Sequence, residues 1–172
     1  SDAKVILVGV DLRKPKIFND FSLSNDVGLS TYLNGESSLE DIIQPSGFSN
    51  LDVISGGIVP PNPNELLQDK RFKELIEVLQ RDYTHVVLDT PPLGLVADAM
   101  HLLPLVDLVL YVVRSNYSDI QLLQPIEELY TSGKINPLAL VLNDVKDKHS
   151  KGYGYGYGYG YGYGYGYFDD EQ

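Results

Sequence analysis

Cysteine is missing from the 172 residues, and histidine appears only three times, at His85, His101 and His149. Without cysteine there is no disulfide framework, no thiolate nucleophile and no thiolate metal site, an absence that fits a reducing compartment. The three histidines are scattered, so no metal-ligand spacing emerges from them. Positive charge is scarce as well: 13 Lys and Arg face 24 Asp and Glu, for a net charge of −11. Three of the acids (Asp169, Asp170, Glu171) lie at the far carboxyl end, yet residues 1–151 still set 21 acids against 13 bases. Such a surface repels nucleic-acid backbones and anionic lipid leaflets, which excludes non-specific nucleic-acid binding as the main job unless a local basic patch intervenes. Long apolar runs are lacking too. The longest, residues 102–113, is interrupted by Pro104 and Asp107, short of the roughly 20 residues that span a bilayer. No signal-peptide pattern precedes Lys4 and there is no initiator Met, so the chain is expected to be a piece of something longer.

What is present is a set of apolar, β-branched runs. Residues 4–10 (KVILVGV), 85–89 (HVVLD), 108–113 (LVLYVV) and 138–143 (LALVLN), with a shorter run at 51–54 (LDVI), read as strands buried on both faces. Helical patterns lie between them. Residues 65–81 place Leu66, Leu67, Phe72, Leu75, Ile76 and Leu79 on one face. Ser118-Asp119-Ile120-Gln121 has the form of a capping box, starting a helix that runs to about Thr131 and stops at Gly133. Ser37-Ser38-Leu39-Glu40 offers another start ahead of Ile42 and Ile43. Apolar strands alternating with amphipathic helices predict an α/β architecture, a doubly wound, mostly parallel sheet occupying residues 1–151. In such sheets ligands sit outside the carboxyl ends of the strands.

Those ends carry the candidate chemistry. Asp11, followed by Leu12-Arg13-Lys14-Pro15, closes the first strand; Asp89, followed by Thr90-Pro91-Pro92, closes the central one; Asn143-Asp144 closes the last. Asp89 after an apolar triplet reads as a Walker B carboxylate holding Mg²⁺, or else as a strand-end cap of the next turn. Asp11 has the same two readings, and two such carboxylates together favour a site for a metal and a polyphosphate. Arg13 either neutralises phosphate or braces its loop against a carboxylate, while Lys14 and Lys16 read as solvated loop charges. Asn143 either meets a base edge or serves a turn. Pro60-Pro61-Asn62-Pro63-Asn64-Glu65 reads as a rigid loop entering a helix, with Asn64 as the N-cap. Asp98 and His101, on an apolar helix-like stretch, read as structural or solvent-facing.

Residues 152–172 differ in kind. Gly and Tyr alternate from Gly152 to Tyr167, eight tyrosines in sixteen residues, ahead of Phe168-Asp169-Asp170-Glu171-Gln172. Half of the repeat has no side chain to bury, which predicts a disordered tail rather than a packed element. Its phenols suit either self-association or phosphoryl acceptance. Phosphorylation of all eight would add about −12 to −16 in charge, making the tail a graded electrostatic switch against an acidic domain. A segment of this length reaches roughly 70 Å extended and about 25 Å as a coil, enough to bring phenols to the strand ends of its own or a neighbouring subunit.

Four features in this order resemble the bacterial tyrosine kinases (BY-kinases). Val5-Ile6-Leu7-Val8-Gly9-Val10-Asp11-Leu12-Arg13-Lys14-Pro15 is similar to the family's Walker A′ motif. Pro61-Asn62-Pro63-Asn64-Glu65-Leu66-Leu67 is similar to its Pro-Asn-Pro loop, Val86-Val87-Leu88-Asp89-Thr90-Pro91-Pro92 to its Walker B, and the tyrosine cluster completes the set. The resemblance implies a P-loop NTPase-like fold used for ATP- and Mg²⁺-dependent tyrosine autophosphorylation in capsular and exopolysaccharide export. It implies Asp11 and Asp89 as catalytic and metal-binding residues, and Arg13 and Asn143 as nucleotide-binding. It also implies Tyr153, Tyr155, Tyr157, Tyr159, Tyr161, Tyr163, Tyr165 and Tyr167 as acceptors, modified in trans within a ring of subunits. The implied location is the cytoplasmic face of the bacterial inner membrane. The implied partners are a membrane-spanning chain-length regulator, fused or separate, and a counteracting tyrosine phosphatase, with no nucleic acid. Two other readings stand beside it: a non-catalytic scaffold assembling through the Tyr-Gly tail, and a deviant-Walker partitioning or positioning ATPase.

The sequence departs from the family pattern twice. Gly9 stands where the motif usually has a first Asp. No G-x-x-x-x-G-K-[ST] occurs; the sole Gly-Lys pair, Gly133-Lys134, is followed by Ile135. That loop supplies the backbone N–H groups and the Lys that hold β/γ-phosphates, so the chain is expected to be an amino-terminally truncated kinase domain. Isothermal titration of the 172-residue chain with Mg-ATP is accordingly expected to give affinity weaker than micromolar; micromolar binding would overturn this reading.

Overall fold

The computed structural model describes residues 3–91, 97–135 and 137–146; the Gly-Tyr tail, with the tyrosines expected as acceptors, lies outside the described residues. Three strands follow the apolar runs closely: β1 (Val5–Gly9), β3 (Leu51–Ile54) and β4 (His85–Asp89). They assemble with a short β2 (Ile43–Pro45) into a sheet ordered β2-β3-β1-β4, in which β1 runs parallel to both β3 and β4 and β2 runs antiparallel to β3. The sequence pattern did not mark β2, whose three residues include a proline; proline fits only an edge strand of this kind. A second sheet pairs β5 (Val109–Arg114) in parallel with β6 (Leu138–Asn143). The structure therefore divides into two sheets what the sequence read as one.

Four short helices join the first sheet: α1 (Ile17–Asp20), α2 (Leu29–Leu33), α3 (Leu39–Ile42) and α4 (Pro63–Gln68). The longest helix, α5 (Lys70–Asp82), lays Phe72, Leu75, Ile76 and Leu79 against Ile6, Val8 and Ile54. That i, i+3, i+4, i+7 stripe is the one read from the sequence. Its run is broken where a single helix was expected. Asp69 is extended (φ −65, ψ 144) and its carboxylate accepts from the Arg71 N–H at 2.8 Å. A short acid that caps the next turn competes with continuing the previous one. Ser38 caps α3 as expected, in a reciprocal pair with Asp41. A short 3₁₀ turn, capped by Asp119, leads into α6 (Leu123–Thr131), and Gly133 ends the segment at φ +71.

The amino ends of β1, β3 and β4 are tied by one cluster. The Tyr83 hydroxyl donates to Asp52 Oδ2 at 2.8 Å, Lys4 Nζ lies 4.3 Å from the centre of the Tyr83 ring, and the Thr84 N–H donates to the Lys4 carbonyl at 2.8 Å. Burial, followed by Asp52 and Asp82, holds the Tyr83 phenol protonated well above its ordinary range. Phe72 is fully buried at the centre of the core. Phe72→Ala is expected to cost about 3–5 kcal/mol in urea unfolding, with little change in the slope against denaturant. A loss below about 1 kcal/mol would place the core elsewhere.

Candidate functional site

The carboxyl rim of the first sheet brings the two sequence-predicted aspartates together. In the parallel β1–β4 ladder Gly9 stands opposite Asp89, and the Val10 N–H donates to the Asp89 carbonyl at 2.8 Å. Asp11 is two residues past that register point, just beyond the end of the neighbouring strand at the same rim. Its Oδ1 accepts from the Arg13 N–H at 3.1 Å and the Lys14 N–H at 3.0 Å. Those two bonds fold residues 11–14 into a turn and fix the orientation of the carboxylate.

Asp89 senses the neighbouring acids. The Asp89 carboxyl is shifted above the usual carboxylate range, first by burial and then by the negative charges of Asp11 and Asp20. Its side chain opens to solvent at the rim, so screening keeps the effect modest. Asp20, at the end of α1, is an acid of this field that the sequence did not single out. No spacing rule links it to Asp11, because the fold alone turns α1 back over the rim.

Arg13 braces its loop through the side-chain amide of Asn64. Its Nη2 donates to Asn64 Oδ1 at 2.7 Å, which ties the Asp11 loop to α4. Asn64 consequently lies inside α4 rather than at its cap; the cap position belongs to Asn62, whose side chain donates to Glu65 Oε2 at 2.9 Å. The loop also rests on a glycine pair. A Cβ added at Gly56 would lie 2.8 Å from Pro15 Cβ, and Gly57 sits at φ +78 with Asn25 bonded to both its N–H and its carbonyl. Gly9 is confined in the same way: a Cβ there would lie 3.0 Å from Ile17 Cγ2 and 3.3 Å from the Gly56 nitrogen. A side chain at Gly9 would require Ile17 and the Gly56 backbone to give by a few tenths of an ångström.

Asn143 ends β6, in the second sheet, where its Oδ1 accepts from the Asp144 N–H at 2.8 Å. Asp144 in turn pairs with Arg114 Nε at 2.9 Å. This is the turn role that the sequence left open. Lys14, Lys16 and His101 are exposed, and the Asp98 side chain lies outside the described residues. Among the described residues no group of three His, Asp or Glu side chains converges on a point that could hold a metal. Two carboxylates completed by water remain, a donor set that suits Mg²⁺, which keeps several waters and takes one or two carboxylates. Nothing among the described residues offers the glycine-rich cradle that a triphosphate requires.

No family model matches the chain. It is 40% identical over 152 residues to the tyrosine-protein kinase YwqD of Bacillus subtilis, covering 87% of this chain and 64% of YwqD. It superposes on the kinase domain of VpsO with a TM-score of 0.76 and 33% identity, over 84% of this chain and 72% of that one. The septum site-determining protein MinD of Pyrococcus horikoshii, complexed with Mg-ADP, gives a TM-score of 0.60 over 80% of this chain and 55% of its own at 21% identity, a likeness of fold alone. The chain belongs to the bacterial tyrosine kinases and has their P-loop NTPase-like fold. It spans less than two-thirds of the length of the first curated relatives it matches.

The raised Asp89 carboxyl has a consequence for stability. The folded chain holds this proton more tightly than the unfolded chain does. Its contribution to folding is therefore complete only below the ordinary carboxylate value of 3.8 and is lost as pH rises through the folded value. Asp89→Asn is expected to raise the melting temperature at neutral pH by a few degrees, with the gain vanishing toward about pH 3. Calorimetry showing a loss at neutral pH would contradict the charge crowding at the rim.

Proposed function

We propose that this chain is the metal-binding and acceptor portion of an ATP-dependent protein-tyrosine autokinase, acting in capsular or exopolysaccharide polymerisation and export. The observation that carries the reading is the register of β1 against β4, which sets Asp11 and Asp89 on neighbouring strand ends within electrostatic reach. The relatives' names support the activity.

Asp89 and Asp11 would hold the magnesium, with water filling its remaining positions. When bound, the metal neutralises charge on the phosphate oxygens. Asp11 is oriented for that task by its two backbone bonds. Arg13, held by Asn64, keeps the loop in place and leaves its charge near the nucleotide phosphates. The incoming tyrosine hydroxyl gives its proton to whichever of the two carboxylates faces it. Transfer through a loose transition state makes a strong base unnecessary, so Gly9 in place of the first Asp does not remove the chemistry. Asn143 would serve the nucleotide base only in an arrangement where its turn bond to Asp144 is exchanged. The acceptors are Tyr153 to Tyr167 at the odd positions, modified in trans within a ring of subunits. The assembly works at the cytoplasmic face of the inner membrane with a membrane-spanning regulator, and a phosphatase reverses it.

The test supplies what the 172 residues do not contain. The chain is fused to the part of YwqD for which it has no counterpart, incubated with Mg-ATP and weighed intact by mass spectrometry. A ladder of phosphate additions confined to the tail, abolished by Asp89→Asn, is the expected result. ATP hydrolysis with an unmodified tail points instead to a partitioning ATPase. Neither hydrolysis nor modification, in a protein that self-associates through the tail, points to a scaffold.

A further inference from the structure

Of the chain's 13 tyrosines, eight stand in the Gly-Tyr repeat and five among the described residues. Tyr83 is buried with its hydroxyl bound to Asp52, and Tyr32 and Tyr111 are half-buried. Tyr117 is the most exposed of the five at 65%, ahead of Tyr130 on α6 at 51%. It stands in the turn that follows β5, beside Asn116 in the left-handed region at φ +59. Arg114 organises that turn. Its N–H donates to Ser118 Oγ at 2.8 Å, and its carbonyl accepts from the Tyr117 and Ser118 N–H groups at 3.2 and 2.9 Å. The Arg114 guanidinium lies 5.0 Å from the centre of the Tyr117 ring, while its Nε donates to Asp144 Oδ2 at 2.9 Å. An exposed phenol and a guanidinium are side by side, and a carboxylate already competes for the cation.

We propose that Tyr117 is a phosphoacceptor within the folded domain and that Arg114 receives its phosphate, exchanging the Asp144 carboxylate for it. The proposal rests on the tyrosine-kinase reading above, with Tyr117 as the substrate of another kinase molecule. There the γ-phosphoryl group of a nucleoside triphosphate passes to the Tyr117 oxygen. The bond from the γ-phosphorus to its bridging oxygen breaks, the nucleoside diphosphate leaves with that electron pair, and the phenol proton goes to solvent. The product carries about −1.5 to −2 charge and three acceptor oxygens beside a guanidinium that already flanks the ring. A guanidinium takes phosphate through two parallel N–H bonds, whereas Asp144 holds it by Nε. Both Arg114 and Asp144 are near solvent, so the exchange requires little desolvation. Arg114 stands opposite Asn143 in the β5–β6 ladder, and Asp144 follows at φ +55. Phosphate on Tyr117 removes a tie between the carboxyl ends of the two strands and loosens the turn that engages Asn143.

YwqD with Mg-ATP is added to the 172-residue chain, and tryptic peptides are sequenced by mass spectrometry. Residues 115–134 fall in one peptide that carries both Tyr117 and Tyr130, so Tyr130 serves as an internal control. Phosphate on Tyr117 is expected in about tenfold excess over Tyr130. Phosphate on the tail alone, on Tyr117 and Tyr130 equally, or nowhere on this chain would overturn the acceptor assignment. Capture by Arg114 is read separately, by phosphorus-31 NMR across pH, on the chain made with phosphotyrosine at position 117. Asp119, Asp144 and the net charge of −11 all act to raise the second ionisation of that phosphate, so a fall reports a neighbouring cation. The midpoint in the folded chain is expected about 0.5 pH below that of the same chain in urea, whose ordinary value is about 6. Arg114→Gln is expected to abolish the difference and Asp144→Asn to preserve it. The urea comparison keeps the measurement decisive if Arg114→Gln fails to fold. A folded midpoint at or above the urea value would overturn the capture. No kinase takes part in the second measurement, and YwqD alone serves in the first, so an inactive chimera leaves both outcomes unchanged.

Discussion

The parallel pairing of β1 with β4 is the constraint on which the rest depends. Side chains alternate along a strand, so a slip of one residue would send every buried group on β4 to the opposite face and move Asp89 away from Gly9. Ile6 and Val8, fully buried beneath α5, hold β1 from one side. The Tyr83, Asp52 and Lys4 cluster holds the amino ends of the same strands. The chemistry at the rim is thus positioned by contacts at the far end of the sheet.

That proximity has an energetic cost that the fold absorbs. Asp11 accepts from two backbone N–H groups, whereas burial, and then the charges of Asp11 and Asp20, push the Asp89 carboxyl upward. A cation at the rim would reverse the sign of this interaction, turning a local destabilisation into binding free energy. Acidic crowding of this kind, held by a rigid ladder, is what a divalent metal site needs before the metal arrives. The loop that completes the rim is equally rigid, since Pro15 lies against Gly56 and Arg13 reaches Asn64.

Much of this was legible in the sequence because periodicity is a local signal. The runs at 51–54, 85–89 and 138–143 became strands with those bounds, and the stripe from Phe72 to Leu79 became the core face of α5. Asp11 and Asp89 were readable as strand-end acids, and the parallel architecture predicted that they would share a rim. Contacts between distant segments were not readable. Arg13 and Asn64 are fifty-one residues apart, and nothing in either neighbourhood announces the other. The break at Asp69 was visible in principle, since a lone Asp inside an amphipathic run is a cap signal, but the apolar stripe outweighed it.

The exposed strands deserve the same physical reading as the buried ones. HVVLD and LVLYVV have the composition of strands covered on both faces, and β1, with a similar composition, is covered. Among the described residues β4 pairs only with β1 and β5 only with β6, and Val112 and Leu140 are 58% exposed without lining the cavity between β4 and β5, so the exposure belongs to the uncovered faces of the second sheet as well as to that gap.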